Sequence, residues 1–398
     1  MAKVLEGIRV LDFGRFIAAP FCGMMLADMG ADVIRIDRPG GEEDRTTGIL
    51  AANGENVHYQ SYARNKKCIT LNLLDNPKGQ EVLRDLVKHS DVLLQNFSPG
   101  AAEMMGITYE NLKAIKPNII FVAVSCYGST GPYSRRIGFD PIAQTMSGAA
   151  SITGFPGSPP TRCQVPFVDY STALMATVGT LLALRHRDQT GEGQMVDVAL
   201  LQTAVTFMAP IIAEYEVLGR AREQVGNRAY FTGPSDLFQC RDGWVYISTI
   251  MGGLWRRLLK AIGHEELLND KELSNDFERF EHRDRVDPLV AAWTKQHTVD
   301  EVVAKMEEVR IPCGRLYTVK EISKDPHVQA RRMIEYLDLE QPGLEKVPVC
   351  GLPIKLSRSP GSIESRSPKV GEHNDEIYRG LLRYSKKKMA ELQKDGSI

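Results

Sequence analysis

The alternation of apolar and polar positions predicts a sheet built from strand–helix–strand units. Ile8-Arg9-Val10-Leu11-Asp12-Phe13 reads as a strand, Pro20–Met29 as a helix stopped by Gly30, and Ala31–Asp37 as a second strand. Strand, helix and strand within so short a stretch make a βαβ unit, which implies parallel pairing. The pattern recurs with strand Cys68–Leu73, helix Pro77–His89 and strand Asp91–Gln95. Helix Tyr109–Ile115 then precedes Ile119–Ser125, a fully apolar, buried-type strand. Two helical stretches follow, Ile142–Ala150 and Tyr170–Arg187. The turn Thr190-Gly191-Glu192-Gly193 leads into strand Gln194–Ala199 and helix Leu201–Leu218.

Beyond a polar linker, Gly219–Arg228, the character changes. Short strands Leu237–Gln239 and Val245–Ile250 flank the turn Arg241-Asp242-Gly243, and charged amphipathic helices follow. The expected architecture is α/β: a doubly wound parallel-sheet large domain with a smaller α+β domain. The expected boundaries are 1–224 for the first part of the large domain, 225–325 for the small one, and 326–398 for a C-terminal segment returning to the large domain. The Pro-, Ser- and Gly-rich tail Pro348–Pro368 is expected to run extended. Lys386-Lys387-Lys388 reads as a solvated helix face.

Composition narrows the function classes. The 398 residues carry 49 Lys and Arg against 50 Asp and Glu, a net charge of -1. Such a balance excludes bulk attraction to nucleic acid or an anionic membrane, so any anionic ligand must meet a local cluster of bases. The longest nearly apolar run, Ala173–Leu184, falls short of the roughly 18–20 residues of a membrane span. Met1–Glu6 has no signal-peptide apolar region. The seven cysteines show no C-x-x-C spacing, and the eight histidines no ligand spacing. Reduced thiols, a cytoplasmic location and no metal site are expected.

Five places invite chemistry. The first strand–helix turn, Gly14-Arg15-Phe16-Ile17-Ala18-Ala19-Pro20, has one glycine, with Phe16 where a dinucleotide fingerprint needs the second. Arg38, after the second strand, suits a ribose-linked phosphate, or is simply a surface Arg at a strand end. Leu94–Gly100 and Cys126–Arg136 both follow strand ends, where ligands of open α/β sheets sit, and both also read as ordinary turns. Asp169 lies where an apolar stretch turns into a helix. It is either an N-cap or a carboxylate nucleophile whose neighbouring helix-terminal N–H groups hold it and an oxyanion. Spacing alone does not choose.

Taken in order, these segments resemble the class III CoA-transferases, the family of formyl-CoA transferase, carnitine CoA-transferase and the bile-acid-inducible F type. The likeness runs from Leu5-Glu6-Gly7-Ile8-Arg9-Val10-Leu11-Asp12 through Leu26–Ile34, Asp91-Val92-Leu93, Asn96–Gly100, Ser147-Gly148, the Asp169 segment and Thr190–Gln194. It continues with Ile311-Pro312-Cys313-Gly314, Asp325-Pro326-His327, Ala330-Arg331 and Gly371-Glu372-His373. It implies an interlocked homodimer, no tightly bound cofactor, and acyl-CoA and a carboxylic acid as substrates. Asp169 matches the nucleophile. Arg38, Leu71, Asn72, Leu73, Asn96 and Phe97 match the path of coenzyme A, and Ser98 and Arg136 are expected beside it. Arg15, Phe16, Ile17, Ala18 and Asp140 match the acyl pocket.

Departures from that pattern shape the expected specificity. Arg15 and Ile17 stand where formyl-CoA transferase has His and Gln. The short apolar Ile250-Met251-Gly252-Gly253-Leu254 replaces its glycine loop, and Met104 replaces an Arg that contacts phosphate. These changes argue against formyl or oxalyl substrates, and Arg136 is expected to take over the phosphate contact. Arg15 is expected to pair with the carboxylate of a dicarboxylic donor such as succinyl-CoA. An α-methylacyl-CoA racemase is a rival, but Gly138-Phe139-Asp140 puts a phenyl ring where that chemistry needs a His base. A catalytically silent subunit partnering a sister chain is a second rival, and an NADP-dependent oxidoreductase a third.

Overall fold

The computed structural model describes residues 3–51, 54, 56–340 and 344–398. It divides into two compact units. The larger takes in the chain up to Ser147, then Cys163–Met208 and Pro326–Ile398; the smaller takes in Gly148–Arg162 and Ala209–Asp325.

Six strands form the sheet of the larger unit: β1 (Arg9–Asp12), β2 (Asp32–Asp37), β3 (Lys66–Thr70), β4 (Val92–Gln95), β5 (Ile120–Ser125) and β6 (Met195–Ala199). All pair in parallel, in the order β3-β2-β1-β4-β5-β6. This is the doubly wound arrangement that the βαβ pattern predicts. The order reverses between β1 and β4, and at such a reversal a crevice opens outside the carboxyl ends of the strands.

The connecting helices are α1 (Ala18–Asp28), α2 (Val57–Tyr62), α3 (Pro77–Lys88), α4 (Ala101–Met104), α5 (Tyr109–Ile115), α6 (Asp140–Met146), α7 (Ala149–Ile152, in the smaller unit), α8 (Phe167–Thr190) and α9 (Leu200–Leu218). Strand side chains alternate between two cores, as a period of two requires. Leu11, Ile34, Ile36, Leu93 and Phe121 join Val82, Leu83 and Leu86 of α3 on one face. Val10, Val33, Val92, Leu94 and Val122 join Leu26 of α1 and Ala173 and Ala176 of α8 on the other. Helix α3 starts as its sequence requires: the Asn76 side chain accepts from Gly79 N–H, and Pro77 occupies the first turn.

Two predicted helices come out differently. The stretch expected as one helix over Ile142–Ala150 is two short ones, because Gly148 takes a φ of 89° that only glycine adopts freely. Helix α8 is longer than expected, and by length and composition it is apolar enough to cross a membrane. Its Val168, Ala173, Ala176, Ala183 and Leu184 are nevertheless core residues. On its opposite side Leu174, Met175, Val178, Leu181 and Leu182 are exposed.

In the smaller unit β7 (Ser235–Gln239), β8 (Trp244–Ser248) and β9 (Cys313–Arg315) form an antiparallel sheet. Helices α10 (Gly252–Ile262), α11 (Asp276–Glu281), α12 (Arg283–Thr294) and α13 (Val299–Glu308) accompany it. Val245, Ile247, Leu258, Val290 and Val302 share their core. The tail expected to be extended begins inside a strand, since Val347–Cys350 pairs antiparallel with Ile334–Leu337. Lys386 and Lys387 open the helix Lys386–Lys394 on its exposed side.

Candidate active site

A pocket of about 240 Å³ opens where the strand order reverses. Its walls are Arg15–Ala18 after β1, Asn96–Pro99 after β4, Val124–Cys126 at the end of β5, Arg136–Phe139, Leu200, and Asp169 of α8. All lie in the larger unit.

Asp169 stands in the first turn of α8 and is half-buried. It is not the N-cap. That position belongs to Pro166, which offers no side-chain acceptor. The acceptor comes from another helix: Asp140 Oδ2 takes the N–H groups of Val168 and Asp169 at 2.9 and 3.1 Å. Asp140 is buried, and Gln144 Nε2 donates to its Oδ1 at 2.5 Å. Phe167 N–H donates to Val165 and Tyr170 N–H to Pro166. The helix-terminal donors are therefore spent, and an oxyanion at Asp169 must find its stabilisation elsewhere. Among the described residues nothing donates a hydrogen bond to the Asp169 carboxylate itself. Burial pushes that carboxyl up to about 7, and the charge of Asp140 adds to the effect.

The turn carrying Arg15 and Phe16 is held by neighbours far away in sequence. Asn96 Oδ1 accepts from Arg15 N–H at 2.7 Å, and Asn96 Nδ2 donates to Arg15 C=O at 2.8 Å. This reciprocal pair ties the end of β4 to the turn after β1 through both ends of the Asn96 amide. The Arg15 guanidinium pairs with Glu42 at 2.8 Å, donates to the carbonyls of Phe13 and Gly14, and lies 5.4 Å from the Phe97 ring centre. Burial lowers its pKa from the ordinary value. Phe16 has a φ of 59°, and its N–H donates to Asp44 Oδ2 at 3.1 Å.

Beneath this turn lies a buried lattice of charges. Arg35 bridges Asp37 and Asp44, each at 2.7 Å, and Arg45 pairs with Asp37 at 2.6 Å. Both guanidiniums lie against the buried Tyr59 ring, at 5.0 and 4.4 Å. Lys66 meets Asp12 at 2.7 Å with both side chains fully enclosed, and also donates to Pro20 C=O.

The residues expected along the path of coenzyme A do not all converge. Asn96, Phe97, Ser98 and Arg136 line the pocket; Arg38, Leu71, Asn72 and Leu73 do not. Leu71 and Leu73 are core residues, and the N–H groups of Leu71 and Asn72 donate to Asp37 and Ser397. Arg38 is exposed beside Glu42 and Glu43. Three strand spacings separate β2, which precedes Arg38, from β5, which precedes Arg136, on the order of 14 Å. Arg38 and Arg136 thus stand on opposite sides of the reversal. Arg135 pairs with Glu103 at 2.9 Å. Arg136 lies 3.9 Å over the Tyr133 ring and has no acidic partner among the described residues. Met104 is exposed.

The family model for CoA-transferase family III matches residues 5–374. The chain belongs to CoA-transferase family III. It is 38% identical over 393 residues to a succinyl-CoA–D-citramalate CoA-transferase of Chloroflexus aurantiacus, covering 98% of this chain and 97% of that one. It is also 38% identical over 382 residues to a succinyl-CoA–L-malate CoA-transferase beta subunit of the same organism, covering 95% and 94%. A CAIB/BAIF family protein from Brucella suis superposes with a TM-score of 0.84 at 31% identity, covering 96% of this chain and all of that one. The protein is a CoA-transferase, with acyl-CoA and a carboxylate as its substrates.

Several residues in or beneath this CoA-transferase's pocket escape a sequence reading. Leu200 opens α9 directly after β6, and its position just past a strand end is the signal that could have found it. Gly138 is required sterically, since a Cβ there would lie 2.4 Å from Cys126 Sγ. Glu42 and Asp44 carry no motif; only the folded segment brings them under the turn.

Proposed function

We propose that this transferase moves CoA from succinyl-CoA to a carboxylic acid acceptor through Asp169. One observation carries the reading: a carboxylate with no hydrogen-bond donor among the described residues, raised to about 7, faces the pocket at the reversal of strand order. Asp169 attacks the donor thioester, giving a mixed anhydride and CoA thiolate. The thiolate attacks the aspartyl carbonyl, releasing the donor acid and leaving an aspartyl–CoA thioester. The acceptor carboxylate then runs the sequence in reverse. A carboxylate of raised pKa is the better nucleophile, provided it is ionised. Arg136, with no acidic partner among the described residues, supports a phosphate contact for CoA on that side of the pocket. Purified protein should transfer CoA from succinyl-CoA to at least one of a panel of carboxylic acids, followed by chromatography of the acyl-CoA products. A panel without product would contradict the proposal.

The dicarboxylic donor rests on Arg15 and on the activities named for two relatives, which pair succinyl-CoA with D-citramalate or L-malate. The distal carboxylate of the donor would compete with Glu42 for the guanidinium. A charge-assisted hydrogen bond is worth about 1.5–3 kcal/mol. Arg15→Ala should therefore raise the KM for succinyl-CoA roughly 10–100-fold and leave that of a monocarboxylic acyl-CoA nearly unchanged. Equal changes in both would place the role of Arg15 in the turn instead.

The pH profile follows from the same site. The nucleophile must be ionised, so kcat/KM should fall as pH drops through about 7. Asp140→Asn keeps an acceptor for the helix N–H groups and removes the repelling charge. Its acid limb should move to lower pH; an unmoved limb would mean that Asp140 does not act on Asp169.

The exposed apolar side of α8 supports a second chain packed against it, as in the interlocked homodimer that the family resemblance implies. A sister subunit is the other arrangement, since one relative is named as a subunit. Activity of the purified single chain favours the homodimer. The free cysteines support a cytoplasmic location.

A further inference from the structure

We propose that Phe16 and Phe139 form an aromatic shutter that decides whether the acyl-aspartyl intermediates go to a carboxylate or to water, with Asp44 as its positioning residue. The proposal rests on the role of Asp169 given above and adds how its intermediates survive. Both rings line the pocket that Asp169 faces, and they meet edge to face, with centres 6.4 Å apart and planes at 88°.

The two rings are carried on different segments, and a buried carboxylate anchors each. Phe139 directly precedes Asp140, whose carboxylate holds the end of α8 that bears Asp169. Phe16 sits in the left-handed region, which a bulky residue seldom adopts unless its surroundings impose it. Here they do. Asp44 is 1% exposed, takes the Phe16 N–H on Oδ2 and receives Arg35 on Oδ1. Arg35 in turn donates to Gly14 C=O at 3.3 Å. A glycine or asparagine would take this backbone more readily, so the benzyl group is held in the pocket wall against the preference of its own backbone.

That task follows from the chemistry of the pocket. Neither ring can donate or accept a proton, so neither serves transfer directly. A water that reached the aspartyl thioester would add its oxygen to the Asp169 carbonyl carbon and break the C–S bond. The thiolate would leave as CoA thiol with one water proton, the other passing to solvent, and the Asp169 carboxylate would be restored. The thioester energy would be lost. Two apolar rings lining the same pocket as the Asp169 carboxylate exclude that water.

The test compares hydrolysis with transfer. Phe16→Gly removes the ring yet suits the positive φ, so it does not depend on tolerating strain. Each variant is mixed with succinyl-CoA, and CoA release is followed with and without an acceptor that the wild type uses. Phe16→Gly and Phe139→Ala should raise the hydrolysis-to-transfer ratio at least about tenfold. Phe16→Leu, which restores bulk, should return it close to wild type, and Asp44→Asn should shift it in the same direction as Phe16→Gly. A wild type that forms the aspartyl thioester, with ratios in Phe16→Gly and Phe139→Ala unchanged, overturns the shutter alone. A wild type that forms no thioester overturns the role of Asp169 and the shutter with it.

Discussion

Asp169→Ala should lose CoA transfer by roughly 10³–10⁶-fold, the range seen when a covalent nucleophile is removed. The loss should fall on chemistry and not on folding. The carboxylate accepts no hydrogen bond among the described residues, and its pKa is raised, so ionised Asp169 opposes the folded state rather than supporting it. Sign matters here. A carboxyl that holds its proton more tightly when folded than when unfolded favours folding as pH falls toward the unfolded value near 4. It costs stability once ionised above about 7. The alanine variant should therefore match or exceed the wild type in thermal stability at pH 8. Steady-state transfer with succinyl-CoA, alongside a melting curve, checks both halves. A loss below tenfold would remove Asp169 from the chemistry.

The second large effect concerns stability. Lys66→Met should cost about 3–5 kcal/mol, because it leaves Asp12 enclosed without its cation. Burial already lowers the Lys66 pKa, with Asp12 opposing that shift. The paired change Asp12→Leu with Lys66→Met should recover most of the loss, since replacing both members of a buried pair by apolar groups is often near neutral. Recovery should be incomplete, because Asp12 Oδ1 also accepts Gly14 N–H at 2.8 Å and so holds the catalytic turn. Denaturant midpoints of the single and the double variant measure this. A single variant as stable as the wild type would contradict the enclosure of the pair.

What the sequence made legible was local. The apolar blocks placed the strands of the parallel sheet, and the strand ends placed the turns that line the pocket. Asp169 stood out because an acid interrupts an apolar run at a helix start. Its partner Asp140 did not declare its task, because a cap supplied from another helix leaves no local spacing. Arg35 was hidden for a different reason: in Val33-Ile34-Arg35-Ile36 a single charge within an apolar strand reads as strand, and its two carboxylates come from separate positions in the chain. Asn96 was expected beside the cofactor and does line the pocket, but the sequence did not show that its amide also ties down Arg15. Arg15 was expected to pair with a substrate carboxylate, and its pairing with Glu42, which that carboxylate would have to displace, left no sign in the sequence. In each case composition and period fixed the element, and a long-range partner fixed the side chain's role.

The central claim is that CoA passes through a covalent bond to Asp169. Intact-mass spectrometry of the protein mixed with succinyl-CoA, without acceptor, tests it most directly. The wild type should gain the mass of CoA less one water, the gain should map to the peptide carrying Asp169 and disappear when acceptor is added, and Asp169→Ala should show none. An adduct that persists in Asp169→Ala, or transfer by a wild type that never carries one, would contradict the account.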